Sequence, residues 1–361
     1  MTRAAAVRSD MSRGDMSRGD VGRGDVGRGF RSLALFAVVV VSIISLSGCA
    51  GARTVLGFHE APTAMATAVP LSDDHANRIL ARTFAAAQQG ETTTGGAAAT
   101  AQRTAYTGAG LRAARARVKL ASVAPKVGDS PLLALQQPRL LAVSRGVGFP
   151  RFIVAQTVAV SGGVPVLHLL TSPDAATPYR ISVTAELVPL AKVKAFSPVS
   201  QGSQLVTEGA GLAVAPTTLL KSYAAGMAFP ARSASNPPFT ADSFSGQLRA
   251  QAAQVAKVVA TQATFSQVHK VVSSSSYAVR QASGDALVFG VIEREDTFAV
   301  KSGQAVDTSA NKAFVLLTGK KKVTRAASLS TLEFVVFAVP RSSGKASLVA
   351  AQEQLVAGSG S

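Results

Sequence analysis

From residue 139 onward the sequence contains two groups of short runs in which apolar and polar residues alternate, and this pattern restricts the fold more than any other feature. Such runs predict β-strands, and turn-forming segments such as Gly148-Phe149-Pro150 and Ser161-Gly162-Gly163 separate them. The predicted strands are RLLAVSR, RFIVAQTVAV, VPVLHLL and YRISVTAELV in the first group, and FSQVHKVV, SYAVRQ, ALVFGVIERE, KAFVLLTG, LSTLEFVVFAVP and KASLVAAQEQLV in the second.

Helical patterns precede each group of strands. One helix is predicted to start at Ser72, which can cap it, and a second runs through AQRTAYTGAGLRAARARVKLASV. A third helix is predicted after Pro216, and a fourth is predicted to begin near Thr240. The order of a helical pair and then a meander of strands therefore occurs twice. It predicts an α+β fold with a first domain over residues 71–195, a linker over 196–211 and a second domain over 212–361.

The amino-terminal region has the pattern of an export signal. An apolar run from Leu33 to Leu46 follows an arginine-rich leader and ends in Leu46-Ser47-Gly48-Cys49. The run is shorter than the roughly 20 residues of a membrane-spanning helix and has the length of a signal-peptide core. An aliphatic residue and two small residues before a cysteine resemble the lipobox of bacterial lipoproteins, whose cysteine receives diacylglycerol.

We therefore expect a lipoprotein signal peptide over residues 1–48, a lipidated Cys49 and a tether over residues 49–70. Cys49 is the only cysteine of the chain, so it has no partner for an intramolecular disulfide. Two acyl chains suffice for stable attachment. The predicted location is the extracytoplasmic face of the cell membrane. An ordinary secretory signal and an uncleaved single span are the alternatives.

The charge of the chain favours polyanionic partners. It holds 37 basic and 20 acidic residues, and removal of residues 1–48 takes away 7 and 4 of them, which leaves a net charge of +14. The export signal and the lack of a binding motif with interleaved aromatic residues argue against nucleic acid. Lipid headgroups and anionic envelope polymers are the polyanions available outside the membrane. Solubility alone is the alternative explanation of the charge.

Lys320, Lys321, Lys322 and Arg325 form the strongest basic patch. The pattern predicts a hairpin tip between the strands KAFVLL and LSTLEFVVFAV. This tip either contacts anionic headgroups or polymer, or is a solvated turn that discourages pairing between strand edges.

Candidate catalytic groups are few. The histidines form neither H-x-x-x-H nor H-E-x-x-H, and the chain has no nucleophile elbow or phosphate-binding glycine loop. The sequence therefore predicts no catalytic site, metal or cofactor. Three polar residues remain as candidates for a pocket, namely His168, Glu186 and Glu293. His168 also fits a strand histidine with satisfied ring nitrogens, and Glu293 fits a solvated strand end.

Short motifs suggest a family. The helical segment from Leu71 to about Leu120, with YTGAGLRAARA, resembles the opening of cone-shaped domains like nuclear transport factor 2. FPRF, VPVLHLL, SYAAGM and FTADSF are similar to segments of actinobacterial lipoproteins of unknown function. The resemblance implies two tandem cone-like α+β domains, each a helical pair on a curved antiparallel sheet around a pocket. It supplies no catalytic residues, because that fold hosts enzymes, binders and scaffolds.

These observations predict a lipid-anchored envelope protein that binds a ligand or a protein partner and is not an enzyme. One alternative is an enzyme or enzyme accessory acting on cell-wall material, with a pocket acid such as Glu186 or Glu293. The other is a structural scaffold of a membrane complex.

Overall fold

The computed structural model describes residues 69–93, 95–123, 135–159, 163–206, 211–231 and 236–361, which belong to one unit of the chain, residues 64–361. The predicted signal peptide, the motif Leu46-Ser47-Gly48-Cys49 and nearly all of the predicted tether lie outside these residues. Within the described ranges, no helix is long and apolar enough to cross a membrane.

Six α-helices are present in the described part of the chain: α1 (Asp73–Thr92), α2 (Gly95–Ala105), α3 (Gly108–Leu120), α4 (Pro216–Gly226), α5 (Ser243–Val259) and α6 (Lys312–Thr318). A short 3₁₀ helix covers Ser273–Ser275. The predicted start of α1 is confirmed, because the Ser72 hydroxyl accepts a hydrogen bond from the backbone N–H of His75. Asp242 caps α5 in the same way.

The described residues form eleven strands: eight have nine residues or fewer, and three in the second half of the chain have 14 or 15. They are β1 (Leu135–Val143), β2 (Arg151–Ala159), β3 (Pro165–Ser172), β4 (Arg180–Leu187), β5 (Ala263–Val271), β6 (Tyr277–Arg280), β7 (Ala286–Val300), β8 (Val306–Asp307), β9 (Lys322–Val323), β10 (Ala326–Val339) and β11 (Ser347–Gly360).

One large antiparallel sheet organises these strands. Its order is β1-β2-β3-β4-β11-β10-β7-β5, with β6 also paired to β7, while β8 and β9 form a separate pair. The predicted α+β class with antiparallel strands is thus confirmed. The two predicted tandem domains are not confirmed, because Glu186 and Leu187 of β4 pair with Ala351 and Ala350 of β11 and join the two groups of strands.

Helices cover the sheet with their apolar sides. A cluster that includes Phe84 of α1 and Ile181 of β4 lies in the first half, and one that includes Tyr223 of α4 and Phe337 of β10 lies in the second. A further cluster combines residues of both halves, for example Leu169 of β3 and Phe289 of β7. Burial of these apolar side chains supplies the main driving force for the fold.

The single helix predicted through residues 101–123 is interrupted. Tyr106 and Thr107 leave the helical path, and the Thr107 N–H donates to the Ile181 carbonyl at 3.0 Å. Gly108 then has a φ of +51°, which glycine tolerates. In α3, a Cβ at Gly110 would lie 2.6 Å from the Ile181 carbonyl oxygen, so the missing side chain permits close contact between α3 and β4.

The strand predicted at KAFVLLTG is wrong, because these residues form α6. The Asn311 side chain accepts from the Phe314 N–H at the helix start, and Gly319 ends the helix with a φ of +71°. Lys322-Val323 pairs with Val306-Asp307 rather than with the large sheet. The basic patch therefore lies between α6 and β10, with Lys322 in the short strand β9, and is not a hairpin tip between two strands of the large sheet.

Candidate ligand-binding cleft

A cleft of about 450 Å³ lies between α5 and the long strands of the sheet. An adjoining recess of about 250 Å³ extends toward α6 and shares Val259, Phe298, Asn311 and Leu329 with it. We call the first the α5 cleft. Its apolar lining residues are Leu248, Ala252, Val255, Val258, Val259, Phe265, Phe298 and Leu329.

The cleft exists because α5 covers the sheet along only part of its length. The side chains that α5 buries are Ser245, Leu248 and Ala252, all in its first three turns. In the following turns Val255 is half-buried and Val258 is 68% exposed. The carboxyl-terminal half of the helix therefore leaves apolar surface open instead of closing it against the strands.

Polar residues form the floor of the α5 cleft. Alternate residues of a strand point to the same face, and Arg294, Asp296 and Phe298 of β7 line the cleft with Gln267 of β5. Gln267 and Asp296 are directly opposite in the β5–β7 pair, and the Gln267 amide nitrogen donates to Asp296 Oδ1 at 2.7 Å. Arg294 Nε lies 3.3 Å from Asp296 Oδ2. The floor is thus a connected polar network.

Two more carboxylates lie behind Arg294. Glu333 of β10 and Glu353 of β11 are directly opposite each other. Arg294 Nη1 donates to Glu333 Oε1 at 3.1 Å and also to Glu353 Oε1. The Glu333 side chain has no exposed surface, and the Arg294 side chain is 13% exposed. One guanidinium therefore holds three carboxylates together in a nearly closed space.

A buried histidine completes the network. His269 Nδ1 lies 3.1 Å from Glu333 Oε2, and His269 Nε2 lies 3.1 Å from Gln267 Oε1. The Gln267 amide donates to Asp296, so its oxygen must accept from His269 Nε2–H. Nδ1 and the Glu333 carboxylate then need one further proton between them to form a hydrogen bond.

The balance of charge in this network is acidic. Asp296, Glu333 and Glu353 carry three carboxyl groups, whereas the Arg294 guanidinium is the one permanent positive charge that contacts all three. Burial raises the pKa of Glu353, the negative charge of Glu333 raises it further, and Arg294 opposes both effects. Since protein carboxylates already occupy the Arg294 guanidinium, the floor suits a cation or a hydrogen-bond donor better than an anion.

The predicted pocket residue His168 lies in the core beneath α1. Its Nε2 lies 2.8 Å from the Thr157 hydroxyl and its Nδ1 lies 3.1 Å from the Thr184 hydroxyl. The Phe84 ring contacts it edge-on at 4.9 Å. Burial lowers the pKa of His168 to about 3, and the Arg117 charge adds to this effect. His168 is thus a neutral core residue with both ring nitrogens bonded.

Glu293 and Glu186 also lie away from the α5 cleft. Glu293 points to the other face of β7, where Arg112 of α3 donates to both of its oxygens at 2.6 and 3.3 Å. This interaction, more than any other, lowers the pKa of Glu293. Glu186 is a half-buried residue of β4, opposite Val166 of β3. None of the three predicted pocket residues lines the α5 cleft.

The basic residues Lys320, Lys321, Lys322 and Arg325 are all exposed. Across the described ranges, no group of three or more His, Cys, Asp or Glu residues could hold a metal ion. Site residues that the sequence patterns did not predict are Glu333, Glu353, His269 and Gln267. A signal was present in LSTLEFVVFAV, where Glu333 interrupts an otherwise apolar strand.

Comparison with known proteins adds no identification. No family model, curated protein or solved structure matches the chain. The resemblances to nuclear transport factor 2 and to actinobacterial lipoproteins therefore stay predictions.

Proposed function

We propose that this chain is a lipid-anchored envelope protein that binds a small ligand in the α5 cleft without transforming it. The observation that carries this proposal is an apolar cleft with a few convergent polar groups on its floor, which is the usual composition of a small-molecule site. The acidic balance of the floor favours a ligand with an apolar body and a cationic or hydrogen-bond-donating head. A ligand with a carboxylate head would be repelled by the carboxylates of the floor.

A matched pair of variants on α5 tests the proposal. Val255→Trp fills the cleft, because Val255 lines it, whereas Ala253→Trp places the same side chain at an exposed position of the same helix. Native mass spectrometry of the full chain, extracted from its own membranes in mild detergent, should show a bound mass in the wild type and in Ala253→Trp. The bound mass should be absent from Val255→Trp. Equal retention by all three proteins would contradict a ligand in this cleft.

The head group is tested with three probes of equal chain length: octylamine, octanol and octanoate. Octylamine should raise the thermal midpoint more than octanoate, with octanol between them. Val255→Trp in the same detergent reports how much of each shift comes from the micelle. We expect at least a tenfold difference in affinity between octylamine and octanoate, about 1.4 kcal/mol. Stronger stabilisation by octanoate than by octylamine would refute the proposal that the carboxylates of the floor select a cationic head group.

An enzyme acting on cell-wall material is the second candidate, and Glu353 is the observation that favours it. Its carboxyl group has a raised pKa and its side chain is 31% exposed, both of which suit a general acid. The pairing of Arg294 and His269 with other protein groups favours binding instead. If the protein is an enzyme, native mass spectrometry of the wild type should detect a chemically altered ligand, and Glu353→Gln should abolish the alteration.

Attachment through Cys49 is part of the proposal. Cys49→Ala should move the full chain out of the detergent-rich phase in a phase-separation assay and remove the diacylglycerol mass. Unchanged partitioning with no acyl mass on the wild type would contradict the lipobox interpretation. Anionic envelope polymer, lipid headgroups and a protein partner are further partners that we propose for the exposed basic residues of the chain as a whole.

We also propose that the two domains predicted from the sequence have different roles. The first half contributes α1, α2 and α3 with β1 to β4, and the second contributes the long strands and the α5 cleft. In support, each half has its own apolar cluster in addition to the shared one.

A further inference from the structure

Leu190, in the segment after β4, has an apolar side chain that is fully exposed to solvent. The residue is 99% exposed and has a φ of +66°, a conformation that leucine rarely adopts. The Ala191 N–H donates to the Val188 carbonyl at 3.0 Å, with Pro189 and Leu190 at the centre of the turn. A turn of this kind normally places glycine at the position with positive φ. Backbone strain and apolar exposure therefore coincide at one residue, and no described contact of the side chain offsets them.

Basic residues surround this leucine. A recess of about 350 Å³ beside it is lined by Leu190, Lys192, Lys194 and Lys345. The acid that lines the same recess, Asp285, is already bound, because it accepts from Lys194 Nζ at 2.6 Å and from the Arg341 N–H at 3.0 Å.

Lys192 and Lys345 remain available to an external partner. Both are exposed, and neither forms an ion pair with any residue that the structure describes. Arg341, in the turn between β10 and β11, is exposed, and its backbone N–H binds Asp285 in the lining of the recess. We call Leu190, Lys192, Arg341 and Lys345 the Leu190 surface.

The register of the sheet places these residues at one end of it. Val188 N–H donates to the Val349 carbonyl, so the segment after β4 runs beside the start of β11. At the same end, Val158 of β2 pairs with Pro165 of β3, and Val158 and Val164 are each 38% exposed. The Leu190 surface therefore continues into further exposed apolar residues at the turn between β2 and β3.

We propose that the Leu190 surface docks on an anionic lipid bilayer. Leu190 enters the boundary between headgroups and acyl chains, and Lys192, Arg341 and Lys345 contact lipid phosphates. Apolar insertion combined with attraction of cations to anionic lipid is the general basis of binding at membrane surfaces. Charge complementarity and a fully exposed leucine point to a bilayer rather than to a small anion, which would not need the leucine.

The inference rests on the proposed attachment of the chain to the membrane at Cys49. The predicted tether, residues 49–70, is long enough for it, because 22 fully extended residues would reach about 73 Å. The lipid on Cys49 would keep the domain near the bilayer, and the Leu190 surface would fix its orientation.

A single tryptophan tests this orientation, because the chain contains none. The full-length Leu190→Trp protein is reconstituted into phosphatidylcholine vesicles with and without phosphatidylglycerol, which also contain doxyl-labelled lipid. In the anionic vesicles we expect a blue-shifted emission and strong quenching by the doxyl group. Lys192→Ala with Lys345→Ala in the same protein should weaken both. Leu190 is fully exposed, so the substitution should leave the fold intact, and circular dichroism checks this.

Lys321→Trp is the matched control, since Lys321 is exposed near the start of β10, at the opposite end of the long strands. It should emit as a solvated tryptophan and remain unquenched. A solvent-like, unquenched Leu190→Trp in anionic vesicles would overturn the inference, and so would equal quenching at both positions. Acylation of Cys49 is read from the mass of the same samples, so failure of the anchor and failure of docking are distinguished.

Discussion

Arg294 is the residue whose loss should damage the α5 cleft most. Arg294→Met keeps an unbranched side chain of similar length but removes the guanidinium that contacts Asp296, Glu333 and Glu353. Three carboxyl groups then lie close together with no arginine between them. The expected effect is a large loss of stability, because an uncompensated buried charge is costly.

The magnitude follows from the burial of the network. Breaking a buried ion pair by removing one partner costs about 3–5 kcal/mol. The Arg294 side chain is 13% exposed, so the lower end of this range, about 3 kcal/mol, is appropriate. At roughly 2–4 °C per kcal/mol, the thermal midpoint should fall by about 6–12 °C.

The matched control is Arg112 of α3, whose partner lies on the other face of the same strand. Arg112 pairs with Glu293, the residue next to Arg294, but the side chains of this pair are 46% and 33% exposed. An exposed ion pair contributes about 0–1 kcal/mol, so Arg112→Met should lower the midpoint by less than about 4 °C. Differential scanning calorimetry of the full chain at neutral pH compares the two variants.

Two outcomes would refute this account of the network. Equal effects of Arg294→Met and Arg112→Met would show that burial does not set the cost. A second variant separates lost packing from uncompensated charge: adding Glu353→Gln to Arg294→Met should recover part of the lost stability, because it removes one surplus charge. If the double variant is less stable than Arg294→Met alone, repulsion between the carboxylates is not the cause.

Two further predictions concern pH and close packing. The raised pKa of Glu353 means that its contribution to stability is present at low pH and is lost as the pH rises through that pKa. Glu353→Gln should therefore gain stability relative to the wild type as the pH rises above about 4.3, the pKa of a free glutamate, and a difference in thermal midpoint that stays constant as the pH rises would contradict this. Gly110→Ala should cost about 1–3 kcal/mol, since the new Cβ would meet the Ile181 carbonyl oxygen at 2.6 Å. Gly246→Ala on α5, with no atom within 4 Å, should stabilise by about 0.5–1 kcal/mol, and urea unfolding of both variants checks the contrast.

Local sequence patterns predicted most elements but not how the two groups of strands are joined. The run ALVFGVIERE predicted β7, and Ser72 predicted the start of α1. The connection between β4 and β11 depends on two residue pairs, Leu187 with Ala350 and Glu186 with Ala351. These partners lie more than 160 residues apart in the sequence, and nothing in either strand alone specifies the other.

The error at α6 has a local cause. KAFVLLT is a short apolar run, and such a run fits a buried strand or one face of a short helix equally well. The deciding residues flank it: Asn311 caps the helix start and Gly319 ends it. These two flanking residues are the features of the local sequence that indicate a helix.

The candidate site was harder to predict because its residues come from four strands. The pocket acid predicted on β7 is Glu293, but its side chain faces α3. Strand alternation puts Arg294 and Asp296 on the other face, toward α5. Their partners Glu333 and Glu353 lie 39 and 59 residues away from Arg294. A charged residue at an inward strand position is a usable signal, but its partners require the sheet order.

The positions of the α5 cleft and the Leu190 surface along the sheet restrict where a ligand would come from. Ala286 of β7 pairs with Val339 at the end of β10, close to the Leu190 surface, whereas Asp296 lies on the cleft floor. Ten residues of strand separate them, about 33 Å. If the Leu190 surface lies on the bilayer, the cleft opens well above the headgroups, and its ligand arrives from the envelope and not from the acyl chains. Lys320, Lys321 and Lys322 lie at the same distal end as the cleft. Their partner would then be an envelope polymer rather than lipid, and the two basic surfaces of the protein would bind different polyanions.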